Sequence, residues 1–116
     1  MKFFFFDTET TWTDPKTDRI IQFWYIFWEY DFKNDKFNEI RRTLQNIYID
    51  EEIPLWASKV HWIYKEDLNW CWYFSDYVDD FLYYFKSADY IVGHNIEFDK
   101  NMFYSECKRL NIRLEV

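Results

Sequence analysis

The hydrophobic pattern begins with an unbroken apolar run that predicts a buried strand over residues 2–6, ending at Asp7. A second run of β-branched and aromatic residues, 20–30, predicts another strand. The polar stretch 33–36 has the composition of a hairpin turn, so residues 37–43 are expected to form a third strand, antiparallel to the second. Three strands therefore open the chain.

The second half of the chain alternates helix and strand. An amphipathic helix is predicted to begin at Ser75, with Ser75 as N-cap and Asp76 near the positive end of the helix dipole. Residues 90–92 predict a short strand that stops at Gly93, and 97–111 predict a second helix. The expected apolar faces of the two helices are Tyr77, Val78, Phe81, Leu82 and Phe85, and Met102, Phe103, Cys107 and Leu110.

The element order of three strands, helix, strand and helix is typical of an α/β domain with a mixed sheet. Only 51–62, an irregular or short helical segment around Pro54, interrupts this order. With 116 residues and 14.8 kDa, the chain suits one small domain.

The net charge and the hydropathy limit the classes of function that the chain can have. The net charge is −7 and the pI about 4.7, which argues against binding nucleic acid through bulk positive charge. An enzyme whose own carboxylates hold cations remains open. No apolar run approaches the length of about 18 residues that a membrane helix needs, so we expect a cytoplasmic protein without a membrane partner.

The cysteines carry little information. Cys71 and Cys107 are far apart, and we expect both to be reduced and buried. Their spacing with His61 and His94 does not suit a zinc site.

Two acids, Asp7 and Glu9, follow the first strand. Residues i and i+2 of a strand point to the same face, so both carboxylates are expected to project together. Like charges this close are unfavourable unless a cation lies between them, and Mg²⁺ or Mn²⁺ binds such oxygens. The alternative interpretation is a solvated loop that happens to contain two acids.

Asp99 is a third candidate, in the first turn of the last helix. From there it could lean back over the sheet end toward Asp7 and Glu9. The alternative is an ordinary acidic residue stabilised by the helix dipole.

Taken together, three segments resemble a known family. They are D-T-E-T-T at 7–11, A-S-K-V-H-W-I with E-D-L over 57–68, and V-G-H-N with F-D over 92–99. In order and spacing they resemble the DEDD superfamily of 3′–5′ exonucleases, in the DnaQ-like branch that includes the proofreading epsilon subunit of bacterial replicative polymerase. The resemblance covers nearly the whole chain.

The resemblance implies a ribonuclease-H-like fold, a mixed sheet with flanking helices, and hydrolysis of the 3′-terminal phosphodiester of single-stranded DNA. It implies two divalent ions, Mg²⁺ or Mn²⁺, held by the catalytic residues Asp7, Glu9 and Asp99. A DNA polymerase is a possible partner. The residues implied to contact the substrate are Thr8, Thr10, Thr11, His61, His94, Asn95 and Phe98.

The sequence departs from the family pattern at its end. The family's third motif supplies a general-base histidine and a fourth metal-binding aspartate, and neither has a counterpart here, since His61 and His94 belong to other motifs. We therefore expect residues 1–116 to be a single exonuclease domain, incomplete at the C-terminus and inactive as a fragment. The alternatives are an RNA-trimming exoribonuclease of the same superfamily and a non-catalytic remnant or interaction module.

Tryptophan replaces family glycine at motif positions. Trp12 follows the D-T-E-T-T motif, Trp62 lies within V-H-W-I, and Trp24 follows Ile20 to Phe23, where the family carries glycine or another small residue. The chain has one Gly where an average composition near 7% predicts about 8. One hypothesis explains both: UGA codons translated as Trp in a gene whose host reads them as Gly. The alternative is a Trp-rich protein that stacks bases on its indoles. The positions concerned are Trp12, Trp24, Trp28, Trp56, Trp62, Trp70 and Trp72.

Overall fold

A computed structural model describes residues 1–114 and contains one four-stranded mixed sheet. The strands are β1 (Lys2–Thr10), β2 (Ile20–Asp31), β3 (Lys36–Asn46) and β4 (Tyr90–Val92), in the spatial order β3-β2-β1-β4. β1 and β3 are antiparallel to β2, whereas β4 is parallel to β1. The predicted α/β fold with a mixed sheet is confirmed.

β1 is longer than predicted. It continues from residue 6 to Thr10 because its ladder with β2 continues, with Asp7 opposite Trp24 and Glu9 opposite Gln22. A register irregularity between Glu9 and Thr10 marks the end of this ladder. The two acids therefore lie inside a paired strand, and the interpretation as a loop is wrong.

Three helices flank the sheet: α1 (Leu55–His61), α2 (Phe74–Ser87) and α3 (Ile96–Arg109). A short 3₁₀ helix over Lys65–Leu68, which the pattern did not indicate, follows α1. No helix within residues 1–114 is long and apolar enough to cross a membrane.

The start of α2 differs from the prediction. Tyr73 is the N-cap, and Ser75 lies inside the first turn. The carboxylate of Asp76 accepts a hydrogen bond of 3.0 Å from the backbone N–H of Tyr73, so Asp76 satisfies the helix end that Ser75 was expected to cap.

The core lies between one face of the sheet and helices α2 and α3. Alternate β1 residues Phe4 and Phe6 point into it, and Phe81 of α2 contacts both rings edge-on with centroids 5.1 and 4.8 Å away. The ring centroids of Phe103, on α3, and Phe81 are 4.1 Å apart. Other buried members are Phe23, Tyr25, Phe27, Phe74, Val78, Leu82, Met102 and Cys107.

Two predictions of burial were wrong. Cys71 is only partly buried, although Cys107 is fully buried as expected. Leu110 is exposed because α3 ends at Arg109, which makes Leu110 the C-cap.

Alternation along β1 places Asp7 and Glu9 on the face opposite the core residues. β4 pairs with β1 only from Phe3 to Phe5, where Val92 is the last partner. Beyond that point the chain turns at Gly93 and enters α3. The N-terminus of α3 therefore lies beside the acidic part of β1.

Candidate active site

Gly93 allows β4 to turn closely past β1. A Cβ atom at this position would lie 2.7 Å from the carbonyl oxygen of Phe6 and 3.0 Å from Cδ1 of Ile96. Real Cβ atoms do not approach backbone oxygen this closely, so a side chain would push the turn away from the sheet. Gly93 thus brings the first turn of α3 against residues 7–9 of β1.

Asp99 is buried at this junction and fixed by Thr8. The Thr8 hydroxyl donates a 2.5 Å hydrogen bond to Asp99 Oδ1, and Asp99 is only 2% exposed. The second oxygen, Oδ2, is buried and has no hydrogen-bond partner among the described residues. A buried carboxylate oxygen without a partner is costly, and needs a ligand or a proton to be stable.

The three acids interact electrostatically. Burial is the main cause of the raised pKa of Glu9, followed by the negative charges of Asp7 and Asp99. Burial also raises the pKa of Asp99, and the charge of Asp7 adds to it, whereas the hydroxyl and the backbone N–H of Thr8 both lower it. Asp7, Glu9 and Asp99 therefore lie within range of one another's charge.

The side chains do not form a ready ligand set. Within residues 1–114, no three His, Cys, Asp or Glu side chains are close enough together to hold one ion. Strand alternation is one reason, since Asp7 and Glu9 share one face of β1 while Thr8, the partner of Asp99, points to the other. A common metal site of all three acids stays a prediction.

The chemistry of the residues nevertheless fits a hard divalent cation. Carboxylate oxygens are the ligands that Mg²⁺ and Mn²⁺ prefer. The unpartnered Oδ2 of Asp99 supplies such an oxygen, and a cation would relieve the repulsion that raises the pKa of Glu9 and Asp99.

Beside Glu9 lies a cavity of about 150 Å³. It joins the end of β1 to helix α1 and to the first turn of α3. Its lining residues are Thr8, Glu9, Thr10, Trp12, Thr13, Ala57, Val60, His61 and Phe98. The structure thus gathers four of the predicted substrate contacts, Thr8, Thr10, His61 and Phe98, around one space next to Glu9.

His61 is held as a neutral hydrogen-bond donor. Its Nδ1 accepts a 3.1 Å hydrogen bond from the backbone N–H of Ile63, so the proton belongs on Nε2, which lies 3.1 Å from the carbonyl oxygen of Thr10. Burial lowers the pKa of His61, and the Thr10 carbonyl opposes this only in part. With both nitrogens engaged, His61 positions the strand end and is not suited to act as a general base.

Other predicted contacts lie outside the cavity. The Thr11 hydroxyl donates to Asp18 at 2.9 Å and accepts from the backbone N–H of Arg19 at 2.9 Å, so it closes the loop after β1. His94 and Asn95 are exposed in the turn before α3, where Asn95 is the N-cap. Their contact with a substrate stays a prediction.

The sequence did not indicate an ion-pair cluster that anchors α3. Glu106 is buried and receives hydrogen bonds from Arg19 at 2.6 Å and from Arg109. Arg109 also donates to the backbone carbonyl of Asp18 at 3.1 Å. These contacts join α3 to the loop after β1, and therefore support the position of Asp99 next to Thr8. A buried glutamate on a helix has no local sequence signal.

The fold and the acidic strand end define an α/β domain of the nuclease type. A family model described as "Exonuclease" matches residues 4–115, so the chain belongs to the exonuclease family. This confirms the resemblance to the DEDD 3′–5′ exonucleases. No curated protein sequence matches the chain significantly.

Solved structures of exonuclease I share the fold. A product-bound structure is 21% identical with a TM-score of 0.79, and the match covers 96% of this chain and 26% of that one. Escherichia coli exonuclease I in complex with a dT13 oligonucleotide is 21% identical with a TM-score of 0.79, and the match covers 96% of this chain and 24% of that one. A third structure, used to explain the processivity of exonuclease I, is 22% identical with a TM-score of 0.77. This match covers 93% of this chain and 24% of that one. The present chain thus spans about a quarter of these proteins, and the ribonuclease-H-like fold is confirmed.

Proposed function

We propose that the protein is a metal-dependent 3′–5′ exonuclease that acts on single-stranded DNA 3′ ends, of the proofreading type. The observation that carries this proposal is the buried Asp99, fixed by Thr8 with one oxygen free, within electrostatic range of Asp7 and Glu9. A bound cation offsets the repulsion among three acids whose charges destabilise one another.

Asp7, Glu9 and Asp99 would hold two divalent ions, Mg²⁺ or Mn²⁺. Such ions, when bound, activate a water molecule and stabilise the leaving 3′ oxygen of a phosphodiester. The residues of the chain contribute the geometry. Thr8 orients the Asp99 carboxylate, and Gly93 keeps α3 close enough for that contact.

The cavity next to Glu9 is the proposed position of the 3′-terminal nucleotide. Phe98 and Val60 give it apolar walls, and Thr8 and Thr10 give it polar ones. His61 holds the Thr10 carbonyl in place through Nε2. The net charge of −7 is compatible with this role because bound cations supply the positive charge at the phosphate.

The choice of single-stranded DNA is supported by the neighbours. E. coli exonuclease I has been crystallised with dT13 and dA16 oligonucleotides. The segment around His61, which resembles the polymerase-associated enzymes, favours the proofreading type and a polymerase partner in the cytoplasm. Neither feature excludes the alternative of an RNA substrate, so the assay includes both nucleic acids.

We also propose that residues 1–116 form one exonuclease domain with little activity alone. The chain has two histidines, of which His61 is engaged at both nitrogens and His94 lies in the exposed turn before α3. A missing general base costs typically 10²–10⁴-fold in rate.

The test uses the protein translated from its complete gene. Single-stranded DNA and RNA labelled at the 5′ end are incubated with Mg²⁺, with Mn²⁺ or with EDTA. We expect stepwise removal of 3′ nucleotides from DNA, lost in EDTA and in Asp99→Asn. Glu97→Gln is the matched control, since Glu97 is exposed in the same helical turn and should leave the rate unchanged. Full activity in Asp99→Asn would contradict the proposal, and degradation of RNA in preference to DNA would select the exoribonuclease.

A further inference from the structure

Most tryptophan side chains of this structure are exposed to solvent, which is unusual for a large apolar residue. The chain has seven Trp and one Gly. Five of the seven indoles are exposed, up to 78% for Trp62 and 95% for Trp70; the exposed ones are Trp12, Trp56, Trp62, Trp70 and Trp72. A large aromatic side chain normally contributes by being buried, so these indoles add little to the stability of the fold.

Trp62 has a backbone conformation that favours glycine. It is the C-cap of α1 with φ 63° and ψ 20°, and its N–H donates a 2.7 Å hydrogen bond to the carbonyl of Ser58. This left-handed helix end is occupied mostly by glycine, because a Cβ is strained there. Within residues 1–114 the other two positive-φ positions, Asp35 and Asn111, carry residue types that tolerate this conformation.

Trp28 lies at an irregularity of the sheet. The β2–β3 register shifts between Phe27 and Trp28, the kind of position where glycine is common. The indole Nε1 of Trp28 is buried and makes no hydrogen bond of standard geometry among the described residues, although the Glu39 carboxylate on β3 is near enough for the indole to lower its pKa. A native buried tryptophan usually finds an acceptor for this N–H.

Trp12 partly fills the cavity beside Glu9. Its ring lines this cavity and contacts the ring of Trp56 edge-on, with centroids 6.2 Å apart. The remaining volume is about 150 Å³, whereas ligand pockets commonly measure about 300–1,000 Å³. Without the indole, the cavity would extend toward the position of Trp12.

We infer that the natural protein carries glycine at the seven tryptophan positions, because its gene uses UGA as a glycine codon, and that glycine at position 12 opens the cavity beside Glu9. The strained helix end, the poorly paired buried indole of Trp28, the exposed indoles and the scarcity of glycine then share one cause. Only the role of the enlarged cavity, which admits the terminal nucleotide, rests on the proposed function.

The decisive experiment determines the codons of the gene and the amino acids of the protein at these positions. The gene is sequenced at the seven positions, and tryptic peptides of the protein purified from its own source are measured by mass spectrometry. We expect UGA codons and peptides with the mass of glycine at positions 12 and 62. A UGG codon, or a peptide with tryptophan, at either position overturns the inference. Neither readout depends on nuclease activity, so a failed exonuclease assay leaves this result standing.

A stability comparison tests the structural argument separately. Trp62→Gly should raise the melting temperature, because it relieves the left-handed backbone. Lys59→Gly is the matched control: Lys59 is an exposed residue inside α1, where glycine weakens a helix, so this variant should melt earlier. A fall in melting temperature for Trp62→Gly equal to that of Lys59→Gly would show that the indole at position 62 belongs to the native protein.

The cavity is tested by binding of a dT oligonucleotide in the presence of Mg²⁺. Trp12→Gly should tighten this binding, and Phe98→Ala, which removes another apolar side chain lining the same cavity, should weaken it. If Trp12→Gly instead weakens binding several-fold, the indole stacks on a base and the inference fails at this position.

Discussion

Thr8 and Asp99 are 91 positions apart in the chain and share a buried hydrogen bond of 2.5 Å. This contact connects the acidic end of β1 to the first turn of α3. It also leaves Asp99 Oδ2 without a partner, in a position where the charges of Asp7, Glu9 and Asp99 interact. Predictions about stability, pH and metal follow from this relationship.

Removal of the Thr8 hydroxyl should destabilise the domain. In Thr8→Val the Oδ1 oxygen of the buried Asp99 carboxylate loses its hydroxyl donor, which costs about 1–3 kcal/mol in the free energy of unfolding. Thr8→Ser retains the donor and is the control. Urea denaturation at neutral pH measures the difference; equal losses in Val and Ser variants would show that the hydrogen bond contributes nothing.

In the metal-free protein, the stability that the protonated Asp99 carboxyl contributes should be lost as the pH rises. The folded-state pKa of Asp99 lies above its ordinary value of 3.8, so the proton is bound more tightly in the folded protein than in the unfolded one. This contribution is complete below pH 3.8 and is lost as the pH rises through the raised pKa. The raised pKa of Glu9 acts in the same direction.

Asp99→Asn should therefore make the metal-free domain more stable at pH 7, with a smaller gain at pH 3. The amide oxygen can still accept the Thr8 hydrogen bond, so the change isolates the charge. Thermal unfolding in EDTA at both pH values measures it. An identical pH profile in wild type and variant would contradict the cause assigned to the raised pKa.

Divalent cations should stabilise the fold. A cation that binds only the folded state at 100 times its Kd adds about 2.7 kcal/mol. Titration with Mg²⁺ or Mn²⁺ should raise the melting temperature of the wild type, and Asp7→Asn should abolish the rise. Glu52→Gln, a change of an exposed acid away from β1, should leave the response intact. Equal shifts for wild type and Asp7→Asn would mean that these acids do not bind the ion.

His61 should contribute to acid sensitivity. Burial lowers its folded-state pKa below the ordinary 6.5, so its contribution to stability is present above pH 6.5 and is lost as the pH falls through the lowered value. NMR titration of the ring should show protonation below pH 6.5, and His61→Gln should reduce the loss of stability between pH 7 and pH 5. A His61 pKa at or above 6.5 would refute the buried, neutral state of the ring.

Local patterns were enough to predict most elements. Apolar and β-branched runs indicated β2 and β4, and helical spacing indicated α2 and α3, because each of these patterns reflects burial of the element. β3, which is mostly exposed, was indicated by the turn residues 33–36 before it. The extension of β1 to Thr10 was missed, since polar residues in a strand are recognised only when their partner, here β2, is in place. Likewise, the cap of α2 depends on Asp76 reaching back to Tyr73, and Ser75 alone was misleading.

The amino-acid sequence by itself determined the order of strands and helices, the family, and which acids are candidates, because periodicity and motif spacing are properties of the chain. Only the tertiary structure decided that Asp99 bonds to Thr8, that His61 is neutral and engaged at both nitrogens, and that Glu106 is buried against Arg19 and Arg109. These are contacts between distant segments. Their geometry depends on how closely β4 and α3 can approach β1, which the packing at Gly93 controls.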